Sequence, residues 1–129
     1  MADSPDISPR SYRLARQSRL GRKRDYQRVF DLRCSAADAN LVVYAAPNDV
    51  ARPRLGIAVS ARLGGGVIRT RIRRLLREAF RLTQHDLPAG FDYVMIPRNA
   101  ASELADYRAS LAALAERASA KCARVPRQN

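Results

Sequence analysis

Sequence periodicity predicts an α+β protein: a small two-layer α/β sandwich with elements in the order α-β-β-(β)-α-β-α. The chain has 129 residues, a length typical of one domain. Short β-branched and apolar runs predict strands, and longer segments with an apolar residue every three or four positions predict helices. The resulting order favours one sheet with helices packed on it.

The first helix is predicted at Arg22–Leu32, because Tyr26, Val29 and Phe30 fall at i, i+3 and i+4 on one helical face. A brief extra strand is predicted just after it, at Cys34–Ala37. This strand is the optional one in the predicted order.

Three further strands and the last helix follow from pattern. Leu41–Ala46 (LVVYAA) is apolar and ends at the turn PND, and Arg54–Ser60 (RLGIAVS) alternates apolar side chains on one face. A turn between these two strands would pair them antiparallel. The next strand is Phe91–Ile96 (FDYVMI). Ser102 is then expected to cap a final helix, whose apolar stripe is Leu104, Tyr107, Leu111 and Leu114.

An arginine-rich helix is predicted at Val67–Leu82 (VIRTRIRRLLREAFRL). At about 100° per residue, an arc of roughly 120° collects the side chains predicted to face the core: Ile68, Ile72, Leu75, Leu76, Ala79 and Leu82. The opposite side is basic, with Glu78 as its one acid and Arg71 at its border; it carries Arg69, Arg73, Arg74, Arg77 and Arg81. Neighbours in its i, i+4 row are about 6 Å apart along the axis.

This basic face has two interpretations, a solvated surface or a phosphate-binding surface. Like charges at i, i+4 destabilise a helix by a few tenths of a kcal/mol per pair. A polyanionic partner would offset that cost, so phosphate binding is favoured. A DNA-reading helix is a further alternative, but it would need side chains that read base edges, and this face has no Asn or Gln.

The overall charge points to the same class of partner. The formal net charge is +12, from 24 basic and 12 acidic residues. Such a balance makes nucleic acid the expected partner. All the basic residues except Lys23 and Lys121 are arginines, whose planar fork suits bidentate phosphate contacts.

The sequence contains no motif typical of an active site, a metal site or a nucleotide-binding site. Cys34 and Cys122 are far apart without metal-ligand spacing, so reduced thiols are expected. His85 is expected in a surface loop, with Asp86 and Asp92 in turn and strand-edge roles. A HExxH or GxSxG motif is lacking.

The glycine run Gly64–Gly66 lacks the Gly-Lys-Ser/Thr of a phosphate-binding loop, so no nucleotide cofactor is expected. Two roles stay open for these glycines: they form a tight turn, or they allow the protein backbone to approach an RNA backbone closely. No apolar run approaches the roughly 20 residues of a membrane span, and the N-terminal segment lacks the apolar stretch of a secretory signal. A cytoplasmic protein without a membrane partner is therefore expected.

The chain is predicted to have three parts. Residues 1–18, with arginines at every third position from Arg10, form a flexible basic arm that either follows a nucleic-acid backbone or is a solvated tail. Residues 19–118 form the folded domain, which the resemblance described next identifies as RNA-binding, and residues 119–129 form a flexible tail.

The span Arg54–Phe80, RLGIAVSARLGGGVIRTRIRRLLREAF, resembles the signature of the bacterial ribonuclease P protein subunit. That family pattern runs Arg, x, Gly, hydrophobic, x, Val, Ser, a basic pair and Gly, then Ala-Val-x-Arg-Asn-Arg and a basic helix. The segments DYQRVF, LVVYAA and FDYVMIPR match its flanks in order and spacing. The resemblance thus covers nearly the whole predicted domain.

The resemblance implies a fold similar to one in ribosomal proteins, the second domain of the fifth small-subunit protein, with a left-handed crossover through the arginine helix. It also implies a protein with no catalytic or metal-binding residues of its own. Such a protein binds a large catalytic RNA and the 5′ leader of precursor tRNA. The RNA, with Mg²⁺ bound mainly to it, would remove the leader as an endoribonuclease and leave the mature tRNA 5′ end.

Site residues are carried over on the same resemblance. The positions matched to catalytic-RNA contacts, with Arg81 continuing their row, are Arg62, Arg69, Thr70, Arg71, Arg73, Arg74, Arg77 and Arg81. The positions matched to the aromatic wall of the leader cleft are Tyr26, Phe30 and Tyr44. Aromatic faces stack unpaired bases without strong sequence preference, while ordinary core packing is the alternative for Tyr26 and Phe30.

Three positions depart from the family pattern. Thr70 stands where the family has Asn, so one hydroxyl replaces an amide. Gly66 stands where Ala is usual, and Ala61 replaces the first residue of the basic pair. The remaining rival is a ribosomal or other structural RNA-binding protein, from which the ordered motif match and the aromatic set distinguish the ribonuclease P subunit.

Overall fold

The structure, a computed structural model, describes residues 18–124. Within them, helices and strands follow in the order α1 (Lys23–Leu32), β1 (Cys34–Ala37), β2 (Leu41–Pro47), β3 (Arg54–Ile57), α2 (Gly66–Thr83), β4 (Phe91–Pro97) and α3 (Leu104–Arg124). Short 3₁₀ turns precede and follow α2, at Ala61–Leu63 and Gln84–Asp86. The predicted α+β class and element order are confirmed, including the brief strand β1.

The four strands form one sheet in the order β1-β2-β4-β3. β2 pairs antiparallel with β1 and, along its whole length, with β4, from Leu41 opposite Pro97 to Pro47 opposite Phe91. β3 pairs parallel with β4. The predicted antiparallel pairing of β2 with β3 is therefore wrong, because β4 lies between them and α2 supplies the crossover that parallel neighbours require.

The two faces of the sheet are covered by different helices. Side chains that alternate along β2 and β4, such as Val43 and Met95, point into the main core beneath α2 and α3. The intervening residues Ala46 and Val94 point to the other face, where Val29 of α1 packs on them. The sandwich of sheet plus α2 and α3 thus carries α1 on its opposite face, and α1 leaves part of that face open.

α1 ends abruptly at its junction with β1. Arg33 adopts a left-handed conformation with φ of 56°, and its N–H donates to the carbonyl of Phe30 at 3.1 Å. A non-glycine residue in this region costs about 1–2 kcal/mol, yet the cap lets β1 begin at the next residue. The chain therefore passes from α1 into the edge strand β1 without an intervening loop.

α3 starts later and ends later than expected. Ser102 is not its N-cap: the helix begins at Leu104, and the Ser102 hydroxyl donates to the side chain of Asn40 at 2.7 Å. The predicted stripe is confirmed, with its central residues fully buried. The helix continues to Arg124, so the domain extends beyond the boundary predicted at residue 118, and Cys122 is buried in the core.

The predicted basic arm lies almost wholly outside the described residues. At its end, Ser18 is buried. Arg19 forms a parallel bridge with Leu55, and the Leu20 N–H donates to the Leu55 carbonyl at 2.7 Å. This segment therefore covers part of the outer edge of β3.

Candidate nucleic-acid interface

The basic helix α2 is turned slightly from its predicted orientation. Its buried residues are Ile72, Leu76, Ala79, Phe80 and Thr83. Ile68, which the helical wheel placed in the core, is 42% exposed, and Leu75 and Leu82 are only partly buried. The predicted core stripe is wrong on this side because packing against α3 and β3 buries Phe80 instead.

This rotation changes the surroundings of the predicted RNA-binding residues. Arg69 and Arg73 are half-buried, since their side of the helix is turned toward the sheet edge. The exposed members of the predicted set are Arg62, Thr70, Arg71, Arg74 and Arg77. Most of the set therefore faces solvent on one side of the molecule.

Two predicted arginines contact acidic side chains. Arg81 forms a bidentate pair with Glu78, at 2.9 Å from Nε and 2.6 Å from Nη2. This hydrogen-bonded pair lowers the pKa of Glu78 and raises that of Arg81. Arg71 lies 3.4 Å from Glu103 in an exposed contact, which contributes little and is screened by salt. A phosphate at Arg81 would have to compete with Glu78.

The glycine run joins the 3₁₀ turn Ala61–Leu63 to α2, which begins at Gly66. Gly64 has φ of +148°, and a Cβ built on it would lie 2.7 Å from Cδ1 of Ile68. Gly65 and Gly66 have open space around them. Val67, in the first turn of α2, is 87% exposed. The start of the helix therefore stands clear of the core.

A groove of about 460 Å³ lies between α1, α2 and the outer edge of β3. Arg73 and Arg77 line it from α2, Tyr26 from α1, and the remaining lining residues are Arg19, Leu20, Gly21, Leu55 and Ile57. The groove thus brings part of the basic face next to one member of the aromatic set. Arg19 was not among the individually predicted contacts, although it belongs to the run of spaced N-terminal arginines.

The aromatic set lies along α1 and the open face of the sheet. Phe30 and Tyr44 make a T-shaped contact with ring centroids 5.0 Å apart, a favoured geometry for aromatic pairs. Both rings and that of Tyr26 are half-buried. They pack, with the partly buried Ile96, against the small apolar cluster between α1 and the sheet that includes Val29 and Val94. Each of the three residues therefore combines core packing with partial exposure.

Tyr26 also has a polar role that its spacing did not reveal. Its hydroxyl accepts a hydrogen bond from the Ile57 N–H at 3.1 Å and lies 3.5 Å from the Ile57 carbonyl. These are backbone groups at the outer edge of β3, which has no strand beyond it among residues 18–124. Tyr26 thereby fastens the start of α1 to the sheet edge next to the groove.

Asp92, His85 and Asp86, the titratable residues weighed in the sequence analysis, lie in a strand and in a turn. Asp92 is fully buried in β4, where it accepts hydrogen bonds from Arg28, Arg54 and Asn48. His85 and Asp86 are exposed in the 3₁₀ turn after α2.

Within the part of the chain that the structure describes, no cluster of three or more His, Cys, Asp or Glu side chains is arranged to hold a metal ion. The same stretch has no helix long and apolar enough to cross a membrane.

Comparison with known proteins adds an independent observation. The family model described as Ribonuclease P matches residues 14–119. The ribonuclease P protein component of Photobacterium profundum is 41% identical over 93 residues, covering 71% of this chain and 78% of its own. That of Methylococcus capsulatus is 40% identical over 99 residues, covering 76% of this chain and 77% of its own.

Solved structures agree with the sequence matches. The Staphylococcus aureus RNase P protein superposes with a TM-score of 0.68 at 29% identity, covering 77% of this chain and 93% of its own. The Thermotoga maritima RNase P protein gives a TM-score of 0.66 at 31% identity, covering 72% and 90% of the two chains. The structural similarity therefore extends over about three quarters of this chain.

Proposed function

Because this chain belongs to the ribonuclease P protein family, we propose that it is the protein subunit of a ribonucleoprotein endoribonuclease that removes the 5′ leader from precursor tRNA. In this proposal the RNA subunit carries the hydrolysis. The protein binds the catalytic RNA through α2 and the leader through its aromatic residues. A cytoplasmic location is part of the same proposal.

The observation that carries the proposal is the groove in which Arg73 and Arg77 lie opposite Tyr26. Single-stranded nucleic acid is bound by the combination of cations along the backbone and aromatic faces for the bases. A basic helix alone would suit any structured RNA. The neighbouring aromatic residues favour a partner with an unpaired strand, such as a leader.

The exposed arginines of α2 would supply most of the affinity for the catalytic RNA. Each phosphate that an arginine neutralises releases condensed counterions, so binding of this kind weakens steeply as salt rises. Arg62, Arg71 and Arg74 are exposed on this side of the molecule without a bidentate carboxylate partner among the residues described. They are the best placed for direct phosphate contacts.

The aromatic residues would hold the leader without reading its sequence. Stacking one base on an aromatic ring contributes about 1–3 kcal/mol and tolerates every base. The Phe30 and Tyr44 rings are perpendicular to each other, and both are half-exposed beside the open strip of the sheet. An enzyme that processes many precursor tRNAs requires this tolerance.

In this proposal, Mg²⁺ would be bound by phosphate oxygens of the RNA subunit. It would supply the activated water for hydrolysis. The residues of this chain bind, orient and concentrate the two RNAs. Arg73 and Arg77 add positive charge beside the proposed leader path, which lowers the repulsion between the two RNA backbones. Lower repulsion would reduce the Mg²⁺ concentration that the reaction needs.

The deciding experiment is cleavage of a 5′-extended precursor tRNA by a bacterial ribonuclease P RNA, at low and high Mg²⁺, with and without this protein. We expect stimulation at low Mg²⁺ and no cleavage by the protein alone. An absence of stimulation at every Mg²⁺ concentration would refute the proposal and favour a structural RNA-binding protein. In that case, Thr70 would be the first substitution to test.

A further inference from the structure

A buried carboxylate joins α1 to the sheet outside the residues that line the groove. Asp92 is fully buried at the start of β4. It accepts hydrogen bonds from Arg54 Nε at 2.7 Å, Arg54 Nη2 at 2.9 Å and Asn48 Nδ2 at 2.8 Å, and one from Arg28 Nη2. Such a carboxylate is stable only when its partners are in place, because an uncompensated buried charge is strongly unfavourable.

The two arginines reach this carboxylate from different elements. Arg54 lies on β3, directly opposite Asp92 in the parallel pair, so its contact links strands that backbone hydrogen bonds already join. Arg28 lies on α1 and also donates from Nη1 to the Pro47 carbonyl at 2.8 Å. Arg28 therefore connects a helix, which has no ladder to the sheet, with the ends of two strands.

In the sequence of α1, Arg28 is flanked by the two aromatic residues that this helix contributes. Tyr26 and Phe30 are separated by one helical turn, and Arg28 lies midway between them in sequence. Side chains of α1 make polar contacts with the sheet through Arg28 and through the Tyr26 hydroxyl on Ile57. Apolar packing of Val29 resists separation of the layers but is less directional.

Resting on the leader-binding function proposed above, we propose that Arg28 is a positioning residue: through Asp92 and the Pro47 carbonyl, it fixes α1 on the sheet and so sets the arrangement of the three aromatic residues. Arg28 itself need not touch the leader. Its effect is on where Phe30 and Tyr26 stand relative to Tyr44. Base stacking requires rings within van der Waals distance, so a small displacement of α1 would weaken it.

The pair of arginines supplies a matched control. Arg28→Ala and Arg54→Ala each remove one cationic partner of the same carboxylate, and both should lower the thermal melting temperature. Only Arg28→Ala releases α1. Arg28→Lys is a second variant at the same position, because it keeps the charge but loses the planar fork that reaches two acceptors at once.

The experiment measures leader preference in the reconstituted holoenzyme, made from a bacterial ribonuclease P RNA and each protein variant. Leader preference is the affinity for a precursor tRNA with its leader, divided by the affinity for the same tRNA without it. We expect Arg28→Ala to reduce this ratio about fivefold or more, the low end of the effect of losing one stacked base. The change should appear in KM for the precursor, with kcat preserved at saturation, whereas Arg54→Ala should keep the wild-type ratio.

Each outcome is decisive. A wild-type holoenzyme with no leader preference would refute leader binding itself, and the positioning role with it. Normal preference in the wild type and in both folded Arg28 variants would overturn the positioning role alone. Equal losses in the Arg28→Ala and Arg54→Ala holoenzymes would overturn it as well, since they would show that Asp92 acts only through global stability. Circular dichroism and melting curves of each protein identify folded variants, and Arg28→Lys provides the test if Arg28→Ala unfolds.

Discussion

The ring of Tyr26 lies directly on the backbone of Gly56: a Cβ built on Gly56 would be 2.9 Å from Cε2 of that ring. Real Cβ atoms do not approach another carbon so closely. The ring cannot move away freely, because its hydroxyl is hydrogen-bonded to the backbone of Ile57. A residue without a side chain at position 56 therefore permits the close approach of α1 to β3.

Gly56→Ala should destabilise the protein by about 1–3 kcal/mol, the usual cost of extra volume in a packed site. The added methyl would push the Tyr26 ring off the sheet and break its hydrogen bond to Ile57. Urea denaturation of the two proteins measures the cost. Leader affinity should fall with it, since Tyr26 would leave its place beside the groove.

A double-mutant cycle with Tyr26→Ala isolates this contact. If the ring is the obstacle, Gly56→Ala should cost much less in the Tyr26→Ala background than in the wild type. An equal cost in both backgrounds would contradict the proposed clash and indicate that Leu20, whose Cδ1 is 3.1 Å from the same built Cβ, is the obstacle.

Two glycines of the same run should respond oppositely to alanine. Gly64→Ala should destabilise by about 1–3 kcal/mol, because position 64 combines a φ of +148° with a clash against Ile68. Gly66→Ala should be neutral or stabilising by up to about 1 kcal/mol, because its surroundings are open and it begins α2. Chemical denaturation of the pair tests both signs, and a loss at position 66 as large as at position 64 would contradict this assignment.

Removing charge from the basic face should flatten the salt dependence of RNA binding. Converting Arg69, Arg73 and Arg77 together to Gln should reduce the log-log slope of affinity against salt by about two to three units, close to one for each phosphate that is no longer neutralised. Filter binding to a bacterial ribonuclease P RNA across a range of salt concentrations measures the slope.

The matched control changes the same number of charges elsewhere. Arg52, Arg108 and Arg117 are exposed in the loop after β2 and on α3, away from the groove. Their combined conversion to Gln lowers the net charge equally, so it accounts for any general effect of net charge. Equal slopes for the two triple variants would remove Arg69, Arg73 and Arg77 from the RNA interface.

Stability should decrease in alkaline solution as buried acids ionise. Burial, with a smaller contribution from the adjacent Cys34 thiol, raises the pKa of Cys122 from 9.0 to about 12. The unfolded chain would release this proton near pH 9.0 and the folded chain only near 12, so the unfolded state binds fewer protons between them. The thiol's contribution is thus fully present below pH 9.0 and is lost as pH rises toward 12.

Urea midpoints measured at increasing pH test this expectation. The decline should begin in the window of Cys122 and continue above pH 10.0, because burial also raises the pKa of Tyr93 and of Tyr107 from that value. Cys122→Ala should remove the decline between pH 9.0 and 10.0 and make the decline above pH 10.0 shallower, because the tyrosines still contribute there. The same early decline in that variant would assign it to another group.

Local pattern predicted the element types well for a physical reason. The spacing of apolar residues along α1, α2 and α3 reflects which side of each helix can be buried, and this is a property of a short segment. The arginine row on α2 was visible for the same reason, although its exposure was not. The motif order around Arg54–Phe80 also sufficed to identify the family, which the comparisons confirm.

The orientation of α2 about its own axis was not a local property. On a helical wheel of α2, the face centred between Ile68 and Leu76 is as apolar as the neighbouring face that includes Phe80. Packing against α3 and β3 selected the second face, buried Phe80 and exposed Ile68. The half-buried state of Arg73, and with it the groove, follows from that choice.

Strand order, the groove and the Asp92 network were settled only by contacts between residues far apart in the chain. Insertion of β4 between β2 and β3 brings Asp92 to Arg28 and Arg54, and the packing of α1 on the sheet brings Tyr26 to Ile57 and Gly56. Periodicity assigns each segment a buried face but not the partner of that face. The partner depends on the total packing and hydrogen bonding of all segments together, which is why the element types could be inferred from sequence and the composition of the site could not.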